Sequence, residues 1–515
     1  MKPLDLSGKA DAREEPKPGD LPVGLLHLPY LRSIGRGVYM SMPEKRSQRL
    51  RQTFNLLDLS SLSISSVAPA FSISATTGIM IGYSGIYSLL AILLIAIPFI
   101  VSSFTFRTLN RHFPSAGASY HWSTRVLGKR IGRFQGWILL LAYFSSIPPI
   151  LVPAAQYTLA LIYPHGVNQP LLEFLVGSFW IGVAMLPLLS GARPTALITQ
   201  VFFAVEIFFL ILFAILGIMA WPHAHPSLPV EHSPVGGIFL TMIVASTIMD
   251  GWEIDSYASE ESTQPNRDPG VGGMIGALFA LAIYLLFVPM MIWETPGNAL
   301  AGSADPLVTW IHYLPTTIPH ATIWMLVPIL ASTAGSLWLT AYILIRGVYA
   351  MGRDGLLSRR FAKLNSRQAP SLATAVVLMA AWAVMALQLF VHSLNVFFSI
   401  VLSTAGFFLI FEFMLDNITA TVFLWRMHHR DQLHEKRDRK HSHRIMLMFS
   451  SFTSFYLLIL LVAFLFLSGR AISPWVNPIL AGLLLAGFLY AVKKPSPSQM
   501  QESENFCQQY DEGIY

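Results

Sequence analysis

Stretches of roughly twenty mainly apolar residues return along almost the whole chain, and a bilayer-spanning helix needs about that many. They occupy 55–82, 87–107, 132–161, 171–190, 195–221, 236–258, 270–293, 320–346, 371–391, 394–425, 446–467 and 475–492. Charge is correspondingly scarce: 12% of residues are charged and 54% hydrophobic, where a soluble domain carries about 25% charged. In hydrocarbon every backbone polar group must be satisfied internally, and helices do this segment by segment. The fold class expected is therefore an all-α polytopic membrane protein with about twelve transmembrane helices.

The basic residues orient this layout. With the N-terminus inside, the inner segments and their flanking helix ends hold 33 of the 34 Lys and Arg residues, and the outer loops hold only Arg470. Cytoplasmic loops collect Lys and Arg, so both termini are expected in the cytoplasm of a protein integral to a membrane, most simply the cell membrane. The net charge of +6 then belongs to membrane orientation rather than to nucleic acid. Three regions follow: a polar tail over 1–54, a membrane domain over 55–492 and a second tail over 493–515. The first tail lacks a signal-peptide pattern, and its Leu21 to Leu31 stretch is suited to lying on the membrane. The single cysteine, Cys507, excludes an intrachain disulfide and a cysteine metal site. His428, His429, His434, His441 and His443 share a basic inner loop with seven Lys and Arg residues, which disfavours a bound cation. No metal site and no cofactor is expected. His223, His225 and His232 share an outer loop and read as solvated.

Two of the twelve stretches should not be continuous rods. In the first, Pro69 removes a backbone donor and clashes with the preceding turn, near mid-membrane at about 1.5 Å per residue. Ser65, Ser66, Ser72 and Ser74 surround it and offer hydroxyls to the freed groups. In the sixth, Gly251 weakens the helix by about 1 kcal/mol relative to Ala. Asp250 beside it costs roughly 2.5–3.5 kcal/mol at the bilayer centre and so demands a partner, a proton or a cavity. Interrupted helices in corresponding positions of two halves are the sequence pointer to a transporter site. Half-helix N-termini attract a carboxylate and unwound carbonyls attract an ammonium. The candidate substrate-binding residues are therefore Ser65, Ser66, Val67, Ala68, Pro69, Ala70, Phe71 and Ser72 in the first break. In the second they are Thr247, Ile248, Met249, Asp250, Gly251, Trp252 and Glu253. Phe71 and Trp252 are candidates for gating or stacking.

Three segments, each in its place in this layout, resemble the amino acid–polyamine–organocation superfamily of permeases. Arg111-His-Phe-Pro-Ser-Ala-Gly-Ala-Ser-Tyr120, followed by Gly128, Gly132 and Gly136-Trp137, is similar to its P-x-A-G-x-x-Y loop and glycine-tryptophan helix start. Asp250-Gly-Trp-Glu253 with Ser259-Glu-Glu-Ser-Thr-Gln-Pro-Asn-Arg-Asp-Pro269 resembles its G-[FW]-E break and the acidic segment after it. Arg353-Asp-Gly-Leu-Leu357 resembles its R-D-G loop after the eighth span. The resemblance covers roughly 55–492 and implies a LeuT-type five-plus-five inverted repeat with two extra C-terminal helices. It also implies substrate binding between the breaks of spans one and six. The chain departs from the pattern in three places. Ser66 to Ser72 stands where many relatives carry G-x-G, Ser358 stands where Pro is usual, and span five has no lysine between Thr195 and Trp221. The lysine-based proton coupling of some relatives is thus not supported.

Other acids lie deep in the spans. Glu412 and Asp416 are four apart, on one helix face, and two close carboxylates raise each other's proton affinity. Together with Glu206 they are the proton-coupling candidates. The expected function is a secondary active transporter for amino acids or related amines, working by alternating access with protons or a counter-substrate. The alternative is a membrane amino-acid sensor of the same fold that has lost transport. Partners would be the small-molecule substrate and the lipid bilayer. No P-loop, dinucleotide fingerprint, zinc-ligand spacing or nucleophile motif appears in the spans, so no enzyme activity is expected.

Overall fold

A computed structural model describes residues 50–223, 234–301, 303–315, 318–390, 394–433 and 437–493. The Leu21 to Leu31 stretch, Cys507, His225, His232 and His434 lie outside the described residues.

Helices run in chain order as α1 (Leu56–Val67), α2 (Pro69–Ser84), α3 (Ser88–His112), α4 (Ala118–Leu127), α5 (Lys129–Ser146), α6 (Pro148–Ile162), α7 (Pro170–Ser190), α8 (Ala192–Ala220) and α9 (Pro234–Ile248). They continue as α10 (Ile254–Tyr257), α11 (Asp268–Glu294), α12 (Gly297–Ala301), α13 (Pro306–Tyr313), α14 (Ala321–Arg353), α15 (Ser371–Ala386), α16 (Leu394–Leu433), α17 (Arg437–Ala471) and α18 (Val476–Val492). Among the described residues there is no strand beyond an isolated bridge between Phe54 and Ser262. Nine helical runs there are long and apolar enough to cross a membrane, and shorter apolar helices lie over Val235–Ile248 and Val476–Val492. One run, Leu56–His112, holds two of the expected spans, folded back at Gly85 with φ 55°. The outer surface is apolar: Leu186, Phe208, Met379 and Phe466 stand well out of the bundle, a surface suited to lipid rather than water.

The packing repeats with an offset of five spans. Helix α1 lies against α11 and α8, and α9 lies correspondingly against α3 and α16. The α8–α14 contact is matched by α16–α5, and α2–α9 by α10–α1. Five is odd, so the second set runs opposite to the first, as an inverted repeat requires.

Local chemistry sets the ends. Asn55 accepts from the Asp58 N–H at 2.9 Å while Asp58 accepts from the Asn55 N–H at 3.1 Å, a reciprocal cap that starts α1. Asp58 also receives Arg193 at 2.8 Å and Gln200 at 2.8 Å, tying the α7–α8 corner to α1. That corner is tighter than the four residues expected. Gly191 alone is non-helical, at φ 92°, because its missing Cβ permits a turn of one residue. At the other extreme, α16 and α17 run through most of the expected loop at 426–445. Lys, Arg, Gln and Glu are good helix formers, so the helices continue past the apolar stretch.

Candidate binding site

The first break falls at Ala68, which adopts a left-handed conformation with φ 51° and ψ 66° between α1 and α2. Pro69 then occupies the first position of α2, where its missing N–H is harmless and its fixed φ suits the helix. The backbone donors of this half-helix are all engaged. Ala70 N–H donates to Glu206 Oε1 at 3.0 Å, Phe71 N–H to Ser332 Oγ at 3.1 Å, and Ser72 N–H to the Ala68 carbonyl at 2.9 Å. Ser332 Oγ in turn donates to Glu206 Oε1 at 2.7 Å. Of the serines around the break, Ser72 donates to the freed Val67 carbonyl at 2.8 Å. Ser74 instead reaches Asp305, and the buried hydroxyls of Ser65 and Ser66 have no partner.

The second break follows α9. Gly251 takes φ +105°, and its N–H donates to Glu253 Oε1 at 3.1 Å and Oε2 at 3.0 Å. The freed Ile248 carbonyl accepts Tyr284 OH at 2.6 Å. The breaks touch: a Cβ on Gly251 would stand 2.8 Å from the Ser66 carbonyl carbon and 3.0 Å from Ser66 Oγ. Only glycine satisfies both the positive φ and this approach.

Beside that contact lies a cavity of about 50 Å³, room for a few waters. Ser66, Val67, Phe71 and Ser72 line it from the first break, and Thr247, Ile248 and Asp250 from the second. The other break residues do not. Ser65, Ala68, Pro69, Ala70, Met249, Gly251 and Glu253 shape the backbone behind the lining. Trp252 is fully buried, stacked on Phe413 with ring centres 5.7 Å apart and edge-on to Phe106 at 5.1 Å, so it serves core packing. Ala75 and Thr76 of α2, together with Ser146, Pro149, Ile150, Ser336, Thr340, Phe398, Leu402, Ala405 and Leu409 from spans three, eight and ten, complete the cavity. Sequence reasoning missed all eleven. A serine or threonine spaced four apart on α14 looks like ordinary helix packing, and no local signal sets Ser336 and Thr340 apart.

Asp250 Oδ1 has no hydrogen-bond partner, and its carboxyl lies within hydrogen-bonding reach of Glu253. Tyr143 OH donates to Glu253 Oε1 at 3.0 Å. Further along, Tyr257 OH donates to Glu412 Oε1 at 2.7 Å and lies 3.0 Å from Ser119 Oγ, which donates to Asp416 Oδ2 at 2.8 Å. Gln135 Nε2 reaches Asp416 Oδ1 at 3.3 Å. Glu412 and Asp416 thus meet through one hydroxyl network. Among the described residues no Lys or Arg pairs with Asp250, Glu253, Glu412 or Asp416. Glu206 lies apart from them, at the start of α2.

A second polar cluster closes the side of the bundle where α1 begins. Arg346 pairs with Glu261 through Nη2 at 2.8 Å and Nε at 3.1 Å. Its guanidinium lies 4.1 Å over the Tyr342 ring, and Tyr342 OH also binds Glu261. Arg353 pairs with Glu260 at 2.7 Å and with Asp354 at 3.0 Å, while Tyr120 OH binds Asp354 and Ala116 N–H binds Glu260 at 2.9 Å. Burial pushes the Glu260 carboxyl up, but the adjacent Arg353 more than offsets this and holds it below the usual range. The backbone before α1 joins in, with Thr53 and Phe54 N–H donating to the Glu261 carbonyl at 2.7 and 2.9 Å. All three motif segments meet here. Among the described residues no group of three or more His, Cys, Asp or Glu side chains is arranged to hold a metal ion.

A helical bundle with an apolar exterior, broken spans and a buried polar cavity is an integral membrane protein of the transporter type. The chain belongs to the amino acid permease family, which it matches over residues 54–489, within the amino acid–polyamine–organocation superfamily. It is similar to the branched-chain amino acid permease BcaP of Lactococcus lactis, 24% identical over 50% of this chain and 59% of that one. It is also similar to the methylthioribose transporter of Bacillus subtilis, 24% identical over 62% of this chain and 72% of that one. A third relative is the vacuolar cationic amino acid transporter 2 of Arabidopsis thaliana, 25% identical over 59% of this chain and 52% of that one. The matched stretch therefore spans little more than half the length of the first and third of these proteins. All three are transporters or permeases by name, and the sensor alternative finds no support among them.

Proposed function

We propose that the protein is a secondary carrier for amino acids or related amines that works by alternating access. Its substrate sits between the two breaks, against Ser66, Val67, Phe71 and Ser72 on one side and Thr247, Ile248 and Asp250 on the other. The observation that carries this reading is the contact of Gly251 with Ser66 beside a cavity that presents Asp250. Irregular backbone at membrane depth is tolerated only inside protein or against a cavity. An uncompensated acid there is a functional group by default, and Asp250 attracts the substrate's ammonium.

Glu412 and Asp416 carry or sense the coupling proton. Two carboxyls joined through Tyr257 and Ser119, with no cation beside them, hold a proton more readily than two charges. Purified protein in liposomes should take up labelled amino acid or amine against an imposed proton gradient. The Glu412→Gln/Asp416→Asn variant should still exchange substrate yet lose the response to the gradient. Flux of no amino acid or amine under any ion gradient would remove the carrier reading, and unchanged proton coupling in the variant would remove the role of the two acids.

A further inference from the structure

Helix α5 starts against its own electrostatics. Lys129 and Arg130 open it, Arg133 follows one turn on, and no acid stands in the first turn. A helix N-terminus carries partial positive charge, so cations placed there are destabilising. Two more cations gather beside this start from distant parts of the chain. Arg426 of α16 donates from Nη1 to the Val126 carbonyl at 2.8 Å, close before Lys129 in the chain. Lys493 follows the end of α18, and its carbonyl accepts Arg133 Nη1 at 2.6 Å and Nη2 at 2.9 Å. Lys129, Arg130, Arg426 and Lys493 are exposed. Gly128, which turns the chain into α5, borders open space: a Cβ there would meet nothing within 4 Å. On the same side of the bundle Arg193, Arg346 and Arg353 all have acids as partners. Among the described residues no Asp or Glu forms an ion pair with Lys129, Arg130, Arg133, Arg426 or Lys493.

Apolar neighbours mark the height of this cluster in the bilayer. Trp425, directly before Arg426, and Ile131, directly after Arg130, are both exposed. Tryptophan collects at the headgroup level of a membrane. Cations without an internal partner, set at that level beside exposed apolar side chains, suit a phosphate that is carried on a lipid. We propose that the start of α5 binds the headgroup of an anionic phospholipid in the leaflet on the side where α1 begins. Lys129 and Arg130 hold the phosphate, Arg426 and Lys493 flank it, and the acyl chains run past Ile131 and Trp425. The distribution of Lys and Arg makes that leaflet the cytoplasmic one, where anionic lipids attract basic segments. The lipid supplies the negative charge that the first turn lacks, and so steadies the helix that brings Ser146 to the cavity. The site does not depend on what the carrier transports.

Thermal midpoints of the full chain in a neutral detergent test this, with dioleoylphosphatidylglycerol, dioleoylphosphatidylcholine or inorganic phosphate added. Phosphatidylglycerol should raise the midpoint by several degrees, and the rise should shrink in high salt. Phosphatidylcholine and inorganic phosphate should each raise it by less than half as much. Lys129→Gln/Arg130→Gln should lose most of the phosphatidylglycerol effect and bind that lipid about tenfold more weakly in a titration. Lys363→Gln/Arg367→Gln removes the same charge from another exposed place on that side and should keep the effect. If the first pair does not fold, Arg426→Gln should show a smaller loss of the same kind. An equal rise with phosphatidylcholine overturns the inference, because charge would then play no part. An equal rise with inorganic phosphate overturns it as well, because a free anion would then suffice. So does a loss in Lys363→Gln/Arg367→Gln as large as in the first pair, because any basic patch on that side would then serve.

Discussion

Asp250 and Glu261 belong to one short segment of chain, and both are buried, yet their surroundings are opposite. Glu261 receives two hydrogen bonds from Arg346 and one from Tyr342, and its neighbour Glu260 receives Arg353. Asp250 has Glu253 beside it, an oxygen with no partner, and no cation. Removing a charge from water costs several kcal/mol, and a well-made ion pair only repays that cost. The first region has its repayment built in and is therefore a structural lock. The second does not, so something from outside, a proton or a cationic substrate, must supply it. Whether a buried carboxyl holds the fold or waits for a ligand is thus decided by the partner, not by burial.

The largest effect should come from breaking the lock on one side. Arg346→Met leaves Glu261 buried without its cation and should cost about 3–5 kcal/mol, read as a marked drop in the thermal midpoint of the detergent-solubilised protein. Replacing both partners, as in Arg346→Met/Glu261→Met, should recover most of it, because two apolar side chains leave no unpaired charge. Asp250→Asn should behave in the opposite sense. It removes an uncompensated acid, so the midpoint should stay level or rise. Affinity for a cationic substrate should fall at least tenfold, or about 1.4 kcal/mol, in an equilibrium binding measurement. A loss of stability in Asp250→Asn comparable to that of Arg346→Met would break the comparison, because it would mean that Asp250 is a structural acid like Glu261.

What could be read from the chain alone followed the range of each effect. Pro69 and Gly251 act on their own backbone, so both breaks were legible as residues. The Pro114 to Tyr120 loop, Glu260–Glu261 and Arg353 were legible as motifs, but their meeting in one ionic cluster is a product of the fold. Glu206 was singled out as an acid at membrane depth. Its partner, the Ala70 N–H, lies 136 positions away, and no local pattern joins them. Trp252, a gating candidate by its place in the break, turns inward onto Phe106 and Phe413, because side-chain direction at a non-helical residue follows from neighbours rather than period. The cavity residues of α5, α6, α14 and α16 were silent for a related reason. Small and apolar residues in a span are equally suited to helix packing, and only the backbone opening at Ser66 and Gly251 makes some of them lining.

Asp305 tests the middle of the comparison, with a carboxyl held by hydrogen bonds alone. It lies in the connection between α11 and α14, outside the spans, where it caps α13 by accepting Val308 N–H at 3.1 Å and also accepts Ser74 Oγ from α2. Its second oxygen has no partner. Burial pushes its pKa up to about 6, although the Ser74 and backbone hydrogen bonds draw it down. An unfolded Asp titrates near 3.9, so between about pH 4 and pH 6 the folded chain keeps a proton that the unfolded chain has lost. Stability depends on pH through that difference: the contribution is full below pH 4, falls as pH rises through 6 and is flat above. The difference in thermal midpoint between wild type and Asp305→Asn should therefore shrink or reverse, by a few degrees, as pH rises across this window. Solvent reaches the site, so the change should be the smallest of the three. A difference that stays constant with pH would mean that Ser74 and Val308 stabilise the charged carboxylate as well as an arginine does, and hydrogen bonds would then have to be counted with cations as sufficient partners for a buried acid in this fold.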